Sequence, residues 1–92
     1  PRSLPQGVWL TKFLLAKREE GKAELTLAGM SYLGDSSNEF QAVNKFFTNL
    51  KDSPAFTKYF KAIVIVSIDH TQFAQATVTT FLISCKTYKE AK

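Results

Sequence analysis

The run Ala62-Ile63-Val64-Ile65-Val66-Ser67-Ile68 limits the possible folds more than any other stretch of this chain. Five of its seven residues are β-branched, and such side chains pack well on a pleated surface while losing χ1 freedom in a helix. A strand is therefore expected here. Ile63 and Ile65 alternate with Val64 and Val66, so apolar groups point to both sides. A sheet built around such a strand needs cover on both faces.

Three further strands are legible. The first is expected from about Val8 to Lys17, opened by the turn residues Pro5 and Gly7. Strict alternation puts Trp9, Thr11, Phe13 and Leu15 on one side and Val8, Leu10, Lys12 and Leu14 on the other. Both sides are again apolar. Arg18-Glu19-Glu20-Gly21-Lys22 reads as a hairpin connection in which Gly21 supplies a positive φ. The second strand is expected from about Ala23 to Tyr32, with Leu25, Leu27 and Gly29 sharing a face. Gly29 weakens a strand interior unless something packs closely against it. Asp69-His70-Thr71-Gln72 reads as a polar turn, followed by a fourth strand from about Ala76 to Thr87.

Between strands two and three lies a helix. Ser36 followed three residues later by Glu39 has the spacing of a capping box. Phe40, Val43, Phe47 and Leu50 recur at helical offsets, and Phe46 widens the stripe, which predicts Phe47 at its centre. Asp52-Ser53-Pro54 ends the helix, because a residue before proline avoids helical dihedrals. One more helical turn within Ala55 to Phe60 would bring Phe56 and Phe60 onto the core.

The order β-β-α-β-β predicts an α+β fold: an antiparallel four-stranded sheet with one main helix on one face. A right-handed crossover from strand two to strand three leaves room for strand four between them, giving a sheet order of 3-4-2-1. This is a permuted ferredoxin-like arrangement. With 92 residues, of which 45% are hydrophobic, residues 1–92 are expected to form a single domain with one core. The chain opens at Pro1 without an initiator Met, so it reads as a processed product or an excised fragment, and residues 1–7 as the remnant of a preceding helix or linker.

No catalytic, cofactor or metal motif is visible. One His and one Cys cannot build a zinc site. Cys85 closes the apolar run Phe81-Leu82-Ile83-Ser84-Cys85 and reads as a buried, inert thiol. The four glycines are isolated, so no phosphate loop exists, and no serine stands in a nucleophile-elbow context. The net charge of +4 raises a basic nucleic-acid binder as an alternative, with Tyr59 and Phe60 beside Lys58 and Lys61 as stacking candidates. The positive residues, however, are scattered from Arg2 to Lys92. No apolar run approaches the ~20 residues of a transmembrane helix.

The pieces Leu4-Pro5-x-Gly7-Val8-x-Leu10-Thr11, Leu25-x-Leu27-x-Gly29 and Leu50 with Ser53-Pro54-x-Phe56, in this order of elements, resemble the fimbrial-assembly (PilN-type) family of type IV pilus and type II secretion machines. The resemblance runs roughly from Leu4 to Lys86. It implies a noncatalytic scaffold domain without cofactors, on the periplasmic side of a parent protein anchored in the inner membrane. It also implies a leading helix just before Pro5, truncated here. The implied partners are proteins: a homodimer, or a heterodimer with a PilO-type ferredoxin-like domain. A PilM-type cytoplasmic protein would be met through a segment outside this chain.

Apolar character on both faces of strands one and three agrees with a scaffold, since one helix cannot cover everything. Trp9, Phe13, Ile63 and Ile65 are the candidate partner contacts. Trp9 reads either as a partner anchor or as ordinary core. The remaining classes are a nucleic-acid-binding ferredoxin-like module and a small acylphosphatase-like enzyme. The second lacks a visible phosphate cradle and its Arg.

Overall fold

The computed structural model describes residues 7–89, apart from the side chain of Phe73. Apart from Gly7, the leader expected at residues 1–7 lies outside the described residues, as does any helix preceding it. Four strands, β1 (Val8–Lys17), β2 (Ala23–Ser31), β3 (Ala62–Phe73) and β4 (Ala76–Lys86), form one antiparallel sheet in the order β1-β2-β4-β3. This is the expected 3-4-2-1 arrangement, with β4 inside the sheet. Helix α1 (Ser36–Asp52) crosses one face, chiefly against β4, β3 and β2, and the short α2 (Pro54–Thr57) follows it. The face opposite α1 carries no element of the described chain.

Two strands depart from plain alternation. β1 has a bulge between Leu10 and Lys12, so Thr11 is an extra residue without a partner on β2. A bulge breaks the period of two. Phe13 and Leu15 pair with Leu27 and Leu25 and so share the helix side with Val8 and Leu10, while Trp9, Lys12 and Leu14 lie on the open side. The uninterrupted alternation expected from sequence, with Trp9 and Phe13 on one face, is thus corrected. β3 bulges at Val66, and it runs five residues past Ile68. Asp69 to Gln72 are therefore strand rather than turn, and the tight turn falls at Ala74-Gln75, where Ala74 has φ 58°.

Helix α1 begins at a different cap from the one the sequence implied. Asp35, in extended backbone, is the N-cap, and its Oδ1 accepts the Ser37 N–H at 2.8 Å. Such a side-chain acceptor satisfies an orphan donor of the first turn. Ser36 is the first helical residue, and Glu39, four residues after the cap, reaches back toward the Leu33, Gly34 and Asp35 N–H groups rather than pairing with Ser36. Its side chain is turned inward. The buried stripe is Glu39, Ala42, Val43, Phe46 and Leu50. That rotates the expected face: Phe40 is 46% exposed, and Phe47 is packed at the margin of the core rather than at its centre. Phe46, only 2% exposed, lies against Phe81 of β4 with ring centroids 5.8 Å apart. Ser53 serves twice, ending α1 and capping α2 by accepting the Phe56 N–H, with Pro54 in the first turn, where its missing N–H is harmless.

Leu25, Leu27, Val43, Phe46, Leu50, Phe81, Ile83 and Cys85 form the centre of the core, with Phe56, Phe60, Ile63, Ile65 and Ile68 around them. Gly29 belongs to this packing. A Cβ there would run into the Phe81 ring and the Trp9 carbonyl. Burial pushes the Cys85 thiol up to about 11, so it stays protonated and inert, as expected for a core cysteine.

Candidate interaction surfaces

Hydrogen bonding ties the loop after β2 to the sheet through one carboxylate. Glu39 is 1% exposed. Its Oε2 accepts the N–H groups of Leu33 (2.8 Å) and Gly34 (3.2 Å), and its Oε1 accepts the Thr79 hydroxyl at 2.8 Å. Burial pushes the Glu39 pKa up. The Leu33 N–H, the Thr79 hydroxyl and the Gly34 and Asp35 N–H groups together outweigh it, and the carboxyl stays below its ordinary value. Thr79 Oγ1 also lies 3.1 Å from His70 Nδ1. Its single proton goes to Glu39, so Nδ1 must be the donor to it. A carboxylate consumed by fixed donors in this way is a structural staple. Sequence reasoning placed Glu39 at a cap and missed this role. The signal was a glutamate near a helix start beside the turn Leu33-Gly34, which offers free N–H groups.

The four candidate contact residues do not form one surface. Ile63 and Ile65 sit half-buried on the helix side of β3, against the core. Phe13 is on the helix side of β1, beyond the reach of α1, and is 67% exposed. Trp9 is exposed on the opposite side. There, with Met30, Tyr32, Ala74, Ala76 and Val78, it lines an apolar depression of about 450 Å³. The residues that share the outer edge of β1 with Phe13 are Leu14 (56% exposed) and Leu15 (54%). Three consecutive apolar side chains thus stand in water on an edge strand, on both of its faces.

Charge is distributed along the long axis. No Lys or Arg occurs between Lys22 and Lys45 or between Lys61 and Lys86. Basic residues therefore gather at the end made by the β1–β2 turn, α2 and the close of β4. Asp35, Glu39 and Asp69 mark the other end. At the basic end Arg18 holds the Glu24 carboxyl below its usual range through a 2.7 Å hydrogen bond, and Ser84 adds a second from β4. Lys58 lies over the exposed Tyr59 ring, but Phe60 is turned inward onto Phe56, with centroids 4.7 Å apart. The Tyr59–Phe60 pair therefore cannot stack two bases side by side.

Among the described residues no cluster of three or more His, Cys, Asp or Glu could hold a metal ion, and no helix is long and apolar enough to cross a membrane. The family model described as fimbrial assembly protein (PilN) matches residues 1–87. No curated protein matches the chain.

Proposed function

This chain belongs to the fimbrial assembly protein (PilN) family, and we propose that it is a noncatalytic interaction domain of an inner-membrane assembly complex, of either a type IV pilus or a type II secretion machine. In this reading the domain stands on the periplasmic side, carried by a membrane-anchored parent. Its partner is a second ferredoxin-like domain, a further copy or a PilO-type protein, while another part of the parent meets a PilM-type protein in the cytoplasm.

The observation that carries the reading is the apolar edge of β1. Phe13, Leu14 and Leu15 are each more than half exposed on a strand whose outer backbone groups have no ladder partner in the sheet. Proteins commonly blunt such edges, and an edge left long and apolar invites strand pairing. Two polar side chains of the interior, Glu39 and Thr79, are by contrast engaged in holding the fold.

The test is binding of the purified chain to the periplasmic domain of a PilO-type protein from the same cell, followed by size-exclusion chromatography and calorimetry. A saturable complex, weakened at least tenfold by Phe13→Glu, is the expected result. No complex with that domain and no self-association would overturn the reading. So would tight oligonucleotide binding that falls steeply with salt, the mark of phosphate neutralisation.

A further inference from the structure

We infer that the partner of the β1 edge is the β1 strand of a second copy of this chain, paired antiparallel about a two-fold axis through Leu14. The inference rests on the reading of the domain as an interaction module and goes further by naming the occupant and its register.

The edge calls for a strand. Leu14 projects to the open side of the sheet, and Phe13 and Leu15 to the helix side. A helix or a loop laid on one face covers only one of these sets. A strand added at the edge brings its own side chains to both faces and takes up the free backbone groups as well.

The backbone phase fixes which residues can pair. At the hairpin end Arg18 donates to the Lys22 carbonyl, so its backbone groups face β2. Inward and outward groups alternate along an antiparallel strand. From Arg18 back to the bulge, Leu14 and Ala16 face β2 with Arg18, while Phe13, Leu15 and Lys17 present their N–H and C=O outward. A symmetric ladder must join outward residues to outward residues. Pairing Phe13 with Leu15 of the second copy, and Leu15 with Phe13, does this and leaves Leu14 opposite its own counterpart in a non-hydrogen-bonded pair.

The same register suits the side chains. Phe13 meets Leu15 twice on the helix side, and Leu14 meets Leu14 on the open side. Lys12 falls opposite Ala16, so no lysine faces a lysine, a juxtaposition that costs energy in a sheet. Shifting the ladder by one pair toward the turn places Lys12 opposite Arg18. Shifting it the other way sets Lys12 opposite Leu14. The centre at Leu14 is the one that keeps the three apolar residues together. The other free edge does not offer this. β3 is interrupted by its bulge at Val66 and continues into Asp69 and His70, whereas β1 is regular from Lys12 to Lys17. A ladder of this length buries roughly 1,000 Å², the low end for a specific interface, which points to a reversible dimer rather than an obligate one.

The experiment is site-directed cross-linking. Directly opposed residues of a non-hydrogen-bonded pair bring their Cα atoms to about 4.5 Å, within disulfide reach. Leu14→Cys should form a covalent dimer under mild oxidation, reversed by reductant, at least ten times faster than Val64→Cys on the exposed face of β3. Cys85 is buried in both variants and gives no background. Sedimentation of the parent chain should show a monomer–dimer equilibrium weakened at least tenfold by the double change Phe13→Lys, Leu15→Lys, with unchanged circular dichroism. Cross-linking of Leu14→Cys no faster than of Val64→Cys, or a monomer at every concentration, would overturn the inference. Loss of the dimer in a chain extended upstream would overturn it too, by making the chain's own preceding segment the occupant. If a partner domain still binds in any of these cases, the interaction-domain reading survives while the second copy is excluded.

Discussion

Glu39 on α1 and Thr79 on β4, forty residues apart in the chain, are joined by a 2.8 Å hydrogen bond inside the protein. The bond sets where the helix begins its passage over the sheet. Through the Leu33 and Gly34 N–H groups it also fixes the turn that delivers the chain from β2 to α1.

Glu39→Ala should therefore destabilise the domain by roughly 1–3 kcal/mol for each buried donor left without an acceptor. The pH dependence follows from the depressed carboxyl pKa. The ionised form is favoured in the folded state relative to its ordinary value of 4.5. Its contribution is complete above that value and is lost as pH falls through the lower folded pKa. Urea midpoints measured from pH 7 downward should fall more steeply below about pH 4.5 for the parent chain than for Glu39→Gln. Parallel curves would show that Glu39 is not the responsible group.

Phe46, rather than Phe47 or Phe40, anchors the helix. Phe46→Ala should cost about 3–5 kcal/mol, the usual range for a buried Phe. Phe40→Ala, at an exposed position, should change stability by under about 0.5 kcal/mol. Equal losses from the two variants, read from denaturant midpoints, would place the helix face elsewhere.

The cap offers a second contrast between neighbours. Asp35→Ala removes the acceptor of the Ser37 N–H and should cost about 0.5–2 kcal/mol. Ser36→Ala sits one residue inside the helix and should be close to neutral. The reverse order of effects would restore the capping box that the sequence spacing implied.

Ser31 is fully buried, and its Oγ has no hydrogen-bond partner among the described residues. An unpaired buried hydroxyl is a net cost, so Ser31→Ala should leave stability unchanged or raise it by about 1 kcal/mol. A loss of similar size in the same denaturation assay would mean that the hydroxyl is paired.

The element order, the bounds of β1 and the place of β4 were legible from the sequence, because each rests on a local pattern: alternation, turn residues and the handedness of a crossover. The helix face was misjudged because a glutamate was assigned to the cap and left out of the buried stripe. Glu39 is inside only because donors from a distant strand and a nearby loop meet it there, and no local pattern reports that. β3 was cut short at Ile68 because its continuation is polar. Asp69 to Gln72 extend past the centre of the core, where the ladder with β4 persists without an apolar face to mark it. The candidate contacts were half legible. Exposure of Phe13 followed from a strand too apolar for a single helix to cover. The separation of Trp9 from Phe13 followed from one unpaired residue that looks like any other threonine.

That threonine gives β1 a property that composition cannot. Thr11 sets the two halves of the strand out of step in residue number while leaving both in step with β2, because Leu10 and Lys12 stand opposite the consecutive residues Gly29 and Ala28. Remove it, and Leu10 would stand next to Lys12 in plain alternation, every other side chain of β1 keeping the face it already occupies. What the deletion would take away is the bend and added twist that an unpaired residue gives its strand. Two chains differing by that one residue would offer a partner the same side chains on the same faces, but along an edge of different curvature, and a mating strand shaped to one would splay from the other.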